Sequence, residues 1–105
     1  MAAYLIVHRR DIADSEALKK YREGVRATIA KFDGKALVRA ALFDVLEGAW
    51  HSGRKRDDTH PERLVVIEFP DMERLKAWYN SKDYADLKAI RQESSTSDIV
   101  AVEGV

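Results

Sequence analysis

The chain has no cysteine, which excludes disulfides, thiolate nucleophiles and thiolate metal sites. Proline and glycine are sparse, two and five in 105 residues, and no glycine-rich phosphate loop can be built from them. Neither sign of charge is in excess, since 18 basic residues balance 18 acidic ones. Without net positive charge there is no chain-wide attraction for a phosphate backbone, so a nucleic-acid partner is not expected. Long apolar runs are missing too. No segment approaches the ~20 residues of a membrane span, and Met1-Ala2-Ala3-Tyr4-Leu5-Ile6-Val7-His8 is too short, and lacks the leading basic residue, for a signal sequence. The expectation is a cytoplasmic single domain over residues 1–105, without a membrane partner.

What is present is strong local patterning. Tyr4 to Arg9 alternates as a strand, with Tyr4, Ile6 and His8 on one face and Leu5, Val7 and Arg9 on the other. Apolar residues on both faces predict a central strand. Asp14 can cap a helix whose stripe is Leu18, Tyr21, Val25, Ile29 and Phe32, and Gly34 stands where a left-handed residue would end it. Lys35 to Leu46 reads as the second strand, with Leu37, Ala41, Phe43 and Val45 on one face and Val38, Ala40 and Leu42 on the other. Residues 47–62 form a polar, charge-dense connection that is long for a hairpin loop.

Arg63 to Phe69 is a β-branched and aromatic run that stops at Pro70, after which Asp71 can open a second helix with Met72, Leu75, Trp78 and Tyr79 on its apolar side. Ser81 can cap a further helix carrying Tyr84, Leu87 and Ile90, ending in a hydroxyl-rich turn at Ser94-Ser95-Thr96-Ser97. Ile99 to Val102 makes the last strand. The order βαββαβ predicts a ferredoxin-like α+β sandwich, with a four-stranded antiparallel sheet in the order 4-1-3-2 and helices on one face. The other face would expose more apolar surface than a small monomer leaves wet. A homodimer, closing as a dimeric α+β barrel, is the expectation.

Glu47-Gly48-Ala49-Trp50, Arg63-Leu64-Val65-Val66-Ile67-Glu68-Phe69-Pro70, Ala77-Trp78-Tyr79-Asn80-Ser81, Tyr84, and Leu87 through Arg91 resemble the domain-of-unknown-function family numbered 1330, in the dimeric α+β-barrel superfamily. The resemblance runs from Tyr4 to Gly104 and implies the fold and the dimer. It does not imply one activity, because superfamily relatives include cofactor-independent monooxygenases, lactone isomerases, haem-degrading enzymes and effector-binding domains. The chain departs from the family pattern between Trp50 and Arg63, where relatives have only a few residues.

Candidate chemistry falls on few residues. Glu68 shares a strand face with Leu64 and Val66, where partial desolvation would suit a general base; pairing with a basic side chain or capping a helix is the structural alternative. His8 is a second base or donor, although antiparallel pairing of the first and third strands sets it toward Leu64 and Glu68 toward Tyr4. Trp50, Trp78, Tyr79 and Tyr84 are candidate ligand-binding aromatics, and Arg91, seven residues after Tyr84, could hold a carboxylate or enolate oxygen. Two adjacent aromatics cannot both face the core, so one of Trp78 and Tyr79 should line a cleft or a partner. His51 and His60 have no recognised metal spacing, and no metal or other cofactor is expected. The Ser94–Ser97 hydroxyls lack an activating base.

Two functions fit. One is a cofactor-independent enzyme of isomerase or monooxygenase type, holding a small organic acid or carbonyl compound between sheet and helices, with Glu68 or His8 moving a proton while Arg91 and a tyrosine stabilise an oxyanion. The other is a non-catalytic metabolite-binding or structural module in which Glu68 and Arg91 form a pair.

Overall fold

A computed structural model describes residues 1–48, 50 and 62–105. His51, His60 and nearly all of the expected 47–62 loop beyond Trp50 lie outside the described residues. The elements are β1 (Ala3–Ile12), α1 (Ser15–Lys31), β2 (Lys35–Ala41), β3 (Arg63–Phe69), α2 (Met72–Tyr79), α3 (Lys82–Ser94) and β4 (Ser95–Glu103). The sheet order is β2-β3-β1-β4 with every neighbouring pair antiparallel. This is the ferredoxin-like α+β fold that the element order predicts.

Each helix begins at a capping side chain. The Asp14 carboxylate accepts from Ala17 N at 3.1 Å, that of Asp71 accepts from Arg74 N at 2.7 Å, and the Ser81 hydroxyl accepts from Tyr84 N at 3.2 Å. The helices cover one face of the sheet. There Ala3, Leu5 and Val7 of β1 and Ile67 and Phe69 of β3 pack with Leu18, Tyr21, Ile29, Leu75, Trp78 and Tyr84 into one buried core. Strand alternation sends Tyr4, Ile6 and His8 to the opposite, open face, beside Leu64, Val66 and Glu68 of β3. On β4, Val100 and Val102 stand across from Ile6 and Tyr4 and are 56 % and 45 % exposed.

Three local expectations are corrected. The left-handed residue after α1 is Asp33, with φ 62°, and not Gly34. Asp33 N donates to Ala30 O at 3.0 Å and Gly34 N to Ile29 O at 2.9 Å, the two bonds of a Schellman closure. Gly34 is needed for space instead, because a Cβ there would come within 2.5 Å of Ile29 Cγ2 and 2.8 Å of Phe69 Cε1.

The second strand stops at Ala41 rather than Leu46 and does not alternate simply. Register shifts on either side of Val38, with Ala40 at φ 48°, put Val38 and Ala41 opposite Val66 and Leu64 on the open face. Ala36 and Ala40 line the helix side. At the C-terminal end there is no hydroxyl-rich turn. The Ser94 and Ser95 hydroxyls donate to Ile90 O at 2.6 Å and Arg91 O at 2.8 Å, closing α3, and the chain passes straight into a nine-residue β4.

Gly34→Ala should destabilise the fold by about 1–3 kcal/mol, because the added methyl meets a branched side chain and a rigid ring. Asp33→Gly should stay near wild type, since removing left-handed strain offsets the loss of the exposed Asp33–Arg74 ion pair. Urea denaturation of the two variants measures both.

Candidate functional site

Between the sheet and the helices lies a cavity of about 570 Å³, within the range of small-molecule pockets. Its floor is apolar, with Leu5 and Val7 from β1, Val65 and Ile67 from β3, Ile99 from β4, and Val25 and Ile29 from α1. Trp78 closes one side. Its indole Nε1 donates to Thr28 Oγ1 at 3.0 Å, and Thr28 in turn donates to Val25 O at 2.7 Å, which locks the ring plane.

The polar groups converge at one end. Arg91, one turn from the end of α3, is 5 % exposed, and its Nε donates to the Tyr84 hydroxyl at 3.2 Å. Tyr84 is two helical turns earlier on the same face, so the 3.6-residue period brings the two side chains together. The Tyr84 hydroxyl lies 2.9 Å from that of Tyr21 on α1. Arg9 continues the apolar alternation of Leu5 and Val7 and is also 5 % exposed. No hydrogen-bond acceptor meets its Nε, and among the described residues no carboxylate pairs with it. Burial lowers the Arg9 pKa, with Arg22 and Arg91 pushing the same way and the Tyr21 phenol opposing. Burial pushes the Tyr21 phenol well above its usual value, and the neighbouring Tyr84 phenol, with the hydrogen bond between them, adds to the rise. Tyr21 therefore stays neutral at physiological pH, and either phenol can donate in the bond that joins the two.

The predicted site residues divide between the two faces. Trp78, Tyr84 and Arg91 line the cavity. Tyr79 does not: it packs half-buried against Trp78 and Tyr84, with the Lys88 ammonium 4.1 Å above its ring. Glu68 lies on the open face, across the ladders from Tyr4 and Lys35. It is thus separated by the sheet from Arg91, and the two form no pair.

His8 is also on the open face, paired with Leu64 as the strand pattern predicts. Its ring stacks on Trp50 at 5.1 Å and meets the edge of Phe43 at 5.3 Å, and its Nε2 lies 3.5 Å from Glu62 Oε2. Among the described residues no three His, Asp or Glu side chains gather as a metal site, and no helix is long and apolar enough to cross a membrane.

Arg9 and Tyr21 are cavity-lining polar residues that the sequence pattern alone did not single out. The available signal was an arginine extending the buried face of a central strand, opposite a second arginine, Arg63, in the β1–β3 register.

The family model for the domain of unknown function DUF1330 matches residues 2–105. The chain belongs to the DUF1330 family. Among solved structures, this DUF1330 protein is similar to a protein of unknown function from Rhodopseudomonas palustris, with a TM-score of 0.68 and 16 % identity, covering 99 % of this chain and 82 % of that one. It is also similar to a dimeric ferredoxin-like protein of unknown function from Jannaschia sp. CCS1, with a TM-score of 0.69 and 12 % identity over 99 % of this chain and 100 % of the other. A third is SnoaB, a cofactor-independent oxygenase from Streptomyces nogalater, with a TM-score of 0.66 and 12 % identity over 99 % and 93 % of the two chains. No curated protein matches. At these identities the likenesses establish the fold.

The buried phenol fixes an alkaline response. Tyr21 keeps its proton in the folded state at pH values where an unfolded chain, titrating near 10.0, releases it. Its contribution to stability is therefore complete below pH 10 and declines as pH rises beyond it, by up to about 1.4 kcal/mol per pH unit. Tyr21→Phe should lose about 1 kcal/mol at neutral pH, with the phenol–phenol hydrogen bond. It should then show a shallower fall than wild type above pH 10, in thermal melts taken at a series of pH values.

Proposed function

We propose that this DUF1330 protein binds a small organic acid or carbonyl compound in the cavity between its sheet and helices. The observation that carries the reading is the buried Arg91–Tyr84–Tyr21 chain at one end of an otherwise apolar pocket. Apolar walls with a few convergent polar groups are the usual composition of a small-ligand site. An oxygen of the ligand would meet the phenol and guanidinium groups, and its body would replace water along Val65 and Ile67.

Cofactor-independent turnover of isomerase or monooxygenase type is a second reading, favoured by the same chain of donors. Donors held in place before reaction are what an enolate or other developing oxyanion requires. SnoaB, which shares the fold, is described as a cofactor-independent oxygenase. Proton transfer in that reading would fall to a group on the cavity wall. Glu23 is the carboxylate among the described lining residues, whereas Glu68 and His8 lie beyond the sheet.

The open face supports a homodimer as part of the same proposal. Val100 and Val102 are exposed beside half-buried Ile6, Leu64 and Val66, and pairing two such faces would remove this apolar surface from water. The similar protein from Jannaschia is described as dimeric. Sedimentation velocity at micromolar concentration should show a two-chain species. Val102→Glu should shift it to a folded single chain, and a wild-type protein that sediments as one chain would remove the dimer from the proposal.

The two tryptophans report on the two faces. On titration with 4-phenylbutan-2-one, a neutral carbonyl probe, the Trp78 indole N–H resonance should move and that of Trp50 should not. Glu68→Gln should leave this response unchanged. Movement of Trp50 alone would transfer the site to the open face.

A further inference from the structure

We infer that the ligand of the helix–sheet cavity is a small amphipathic organic anion, its carboxylate or enolate oxygens seated between the Arg9 and Arg91 guanidiniums. This rests on the cavity being the ligand site and adds the class of ligand that it selects.

Three independent features point to an anion. First, two guanidiniums, each 5 % exposed, line the same cavity, and Arg9 has no carboxylate partner among the described residues. Buried charges are ordinarily paired, because an uncompensated one loses its hydration and gains nothing in exchange. An anionic ligand supplies the missing partner, and the planar guanidinium fork matches a carboxylate better than a point cation would.

Second, the phenols leave a proton unspent. Tyr84 accepts from Arg91 Nε, and a single hydrogen bond joins Tyr84 to Tyr21. Two hydroxyl protons therefore serve one bond. Whichever way that bond runs, one phenolic O–H remains to donate within a buried pair that lines the cavity. Donors from Arg9, Arg91 and one tyrosine can then surround an oxyanion.

Third, the rim repeats the bias. Lys19, Arg22, Arg26 and Arg39 stand there against Glu23 as the carboxylate among the described lining residues. A positive mouth leading to two buried guanidiniums at one end of the cavity raises the local concentration of anions and repels cations. The apolar walls require the rest of the ligand to be hydrocarbon-like, which excludes inorganic phosphate or sulfate as the intended occupant.

Calorimetric titration of the full chain with 4-phenylbutyrate and with its neutral isostere 4-phenylbutyramide tests the inference, with the Trp78 indole resonance reporting location. The acid should bind at least about tenfold more tightly than the amide, the scale of one added charge-assisted hydrogen-bond set. Arg9→Met keeps the volume and removes the buried charge. It should lose most of the preference for the acid, the acid-to-amide affinity ratio falling toward one. Should that variant fail to fold, the acid-to-amide ratio of the wild type decides alone. Equal affinity for the two probes, both moving Trp78, would overturn the anion seat and leave the cavity as the ligand site. Binding that moves only Trp50, or no binding by either probe, would overturn both.

Discussion

The architecture depends on the parity of β1. This strand pairs on both sides, with β3 and β4, and is covered on one face by helices. Its side chains must therefore alternate between two different environments. Leu5, Val7 and Arg9 go to the helix side, and Tyr4, Ile6 and His8 to the open side. A shift of one residue would exchange the two sets, placing a charged end on the wrong face and a tyrosine in the core. The antiparallel register transmits the same choice to β3, where Val65, Ile67 and Phe69 face the helices and Leu64, Val66 and Glu68 do not.

The sheet consequently separates two kinds of chemistry. On the helix side are cationic and phenolic donors in an apolar surround. On the open side are His8, stacked on Trp50 with Phe43 at its edge, and Glu68 beside Lys35 and Tyr4. Burying Arg9 beside Arg91 with no carboxylate partner among the described residues opposes folding, and strain of this kind persists where a site gains from it. The extensive aromatic packing of Trp78 on Phe69 and Tyr84, at ring separations of 5.5 and 4.1 Å, supplies stability in the same region.

Much of this was legible in the sequence because it is local. Asp14, Asp71 and Ser81 mark helix starts through hydrogen bonds within three residues of themselves, and strand parity follows from alternation alone. The same parity implied that Glu68, neighbour to core-facing Phe69, could not share a cavity with Arg91. The expectation of a common site set Glu68's chemical suitability above its geometry. The rest was tertiary. Nothing near Ala40 announces a bulge, which arises from pairing with β3. The need for a glycine at position 34 comes partly from the Phe69 ring, on a distant strand. Arg9 reads as a strand-end cation until α1 and α3 are placed over it.

Neither the family match nor the shared fold fixes the chemistry of the site, which depends on where a ligand sits. A crystal structure of the protein with 4-(4-bromophenyl)butyrate, its bromine located by anomalous scattering, measures this most directly. The carboxylate is expected within hydrogen-bond distance of Arg9 and Arg91, with the bromophenyl ring against Val65 and Ile67. A probe bound instead on the open face, against Trp50 and His8, would contradict it.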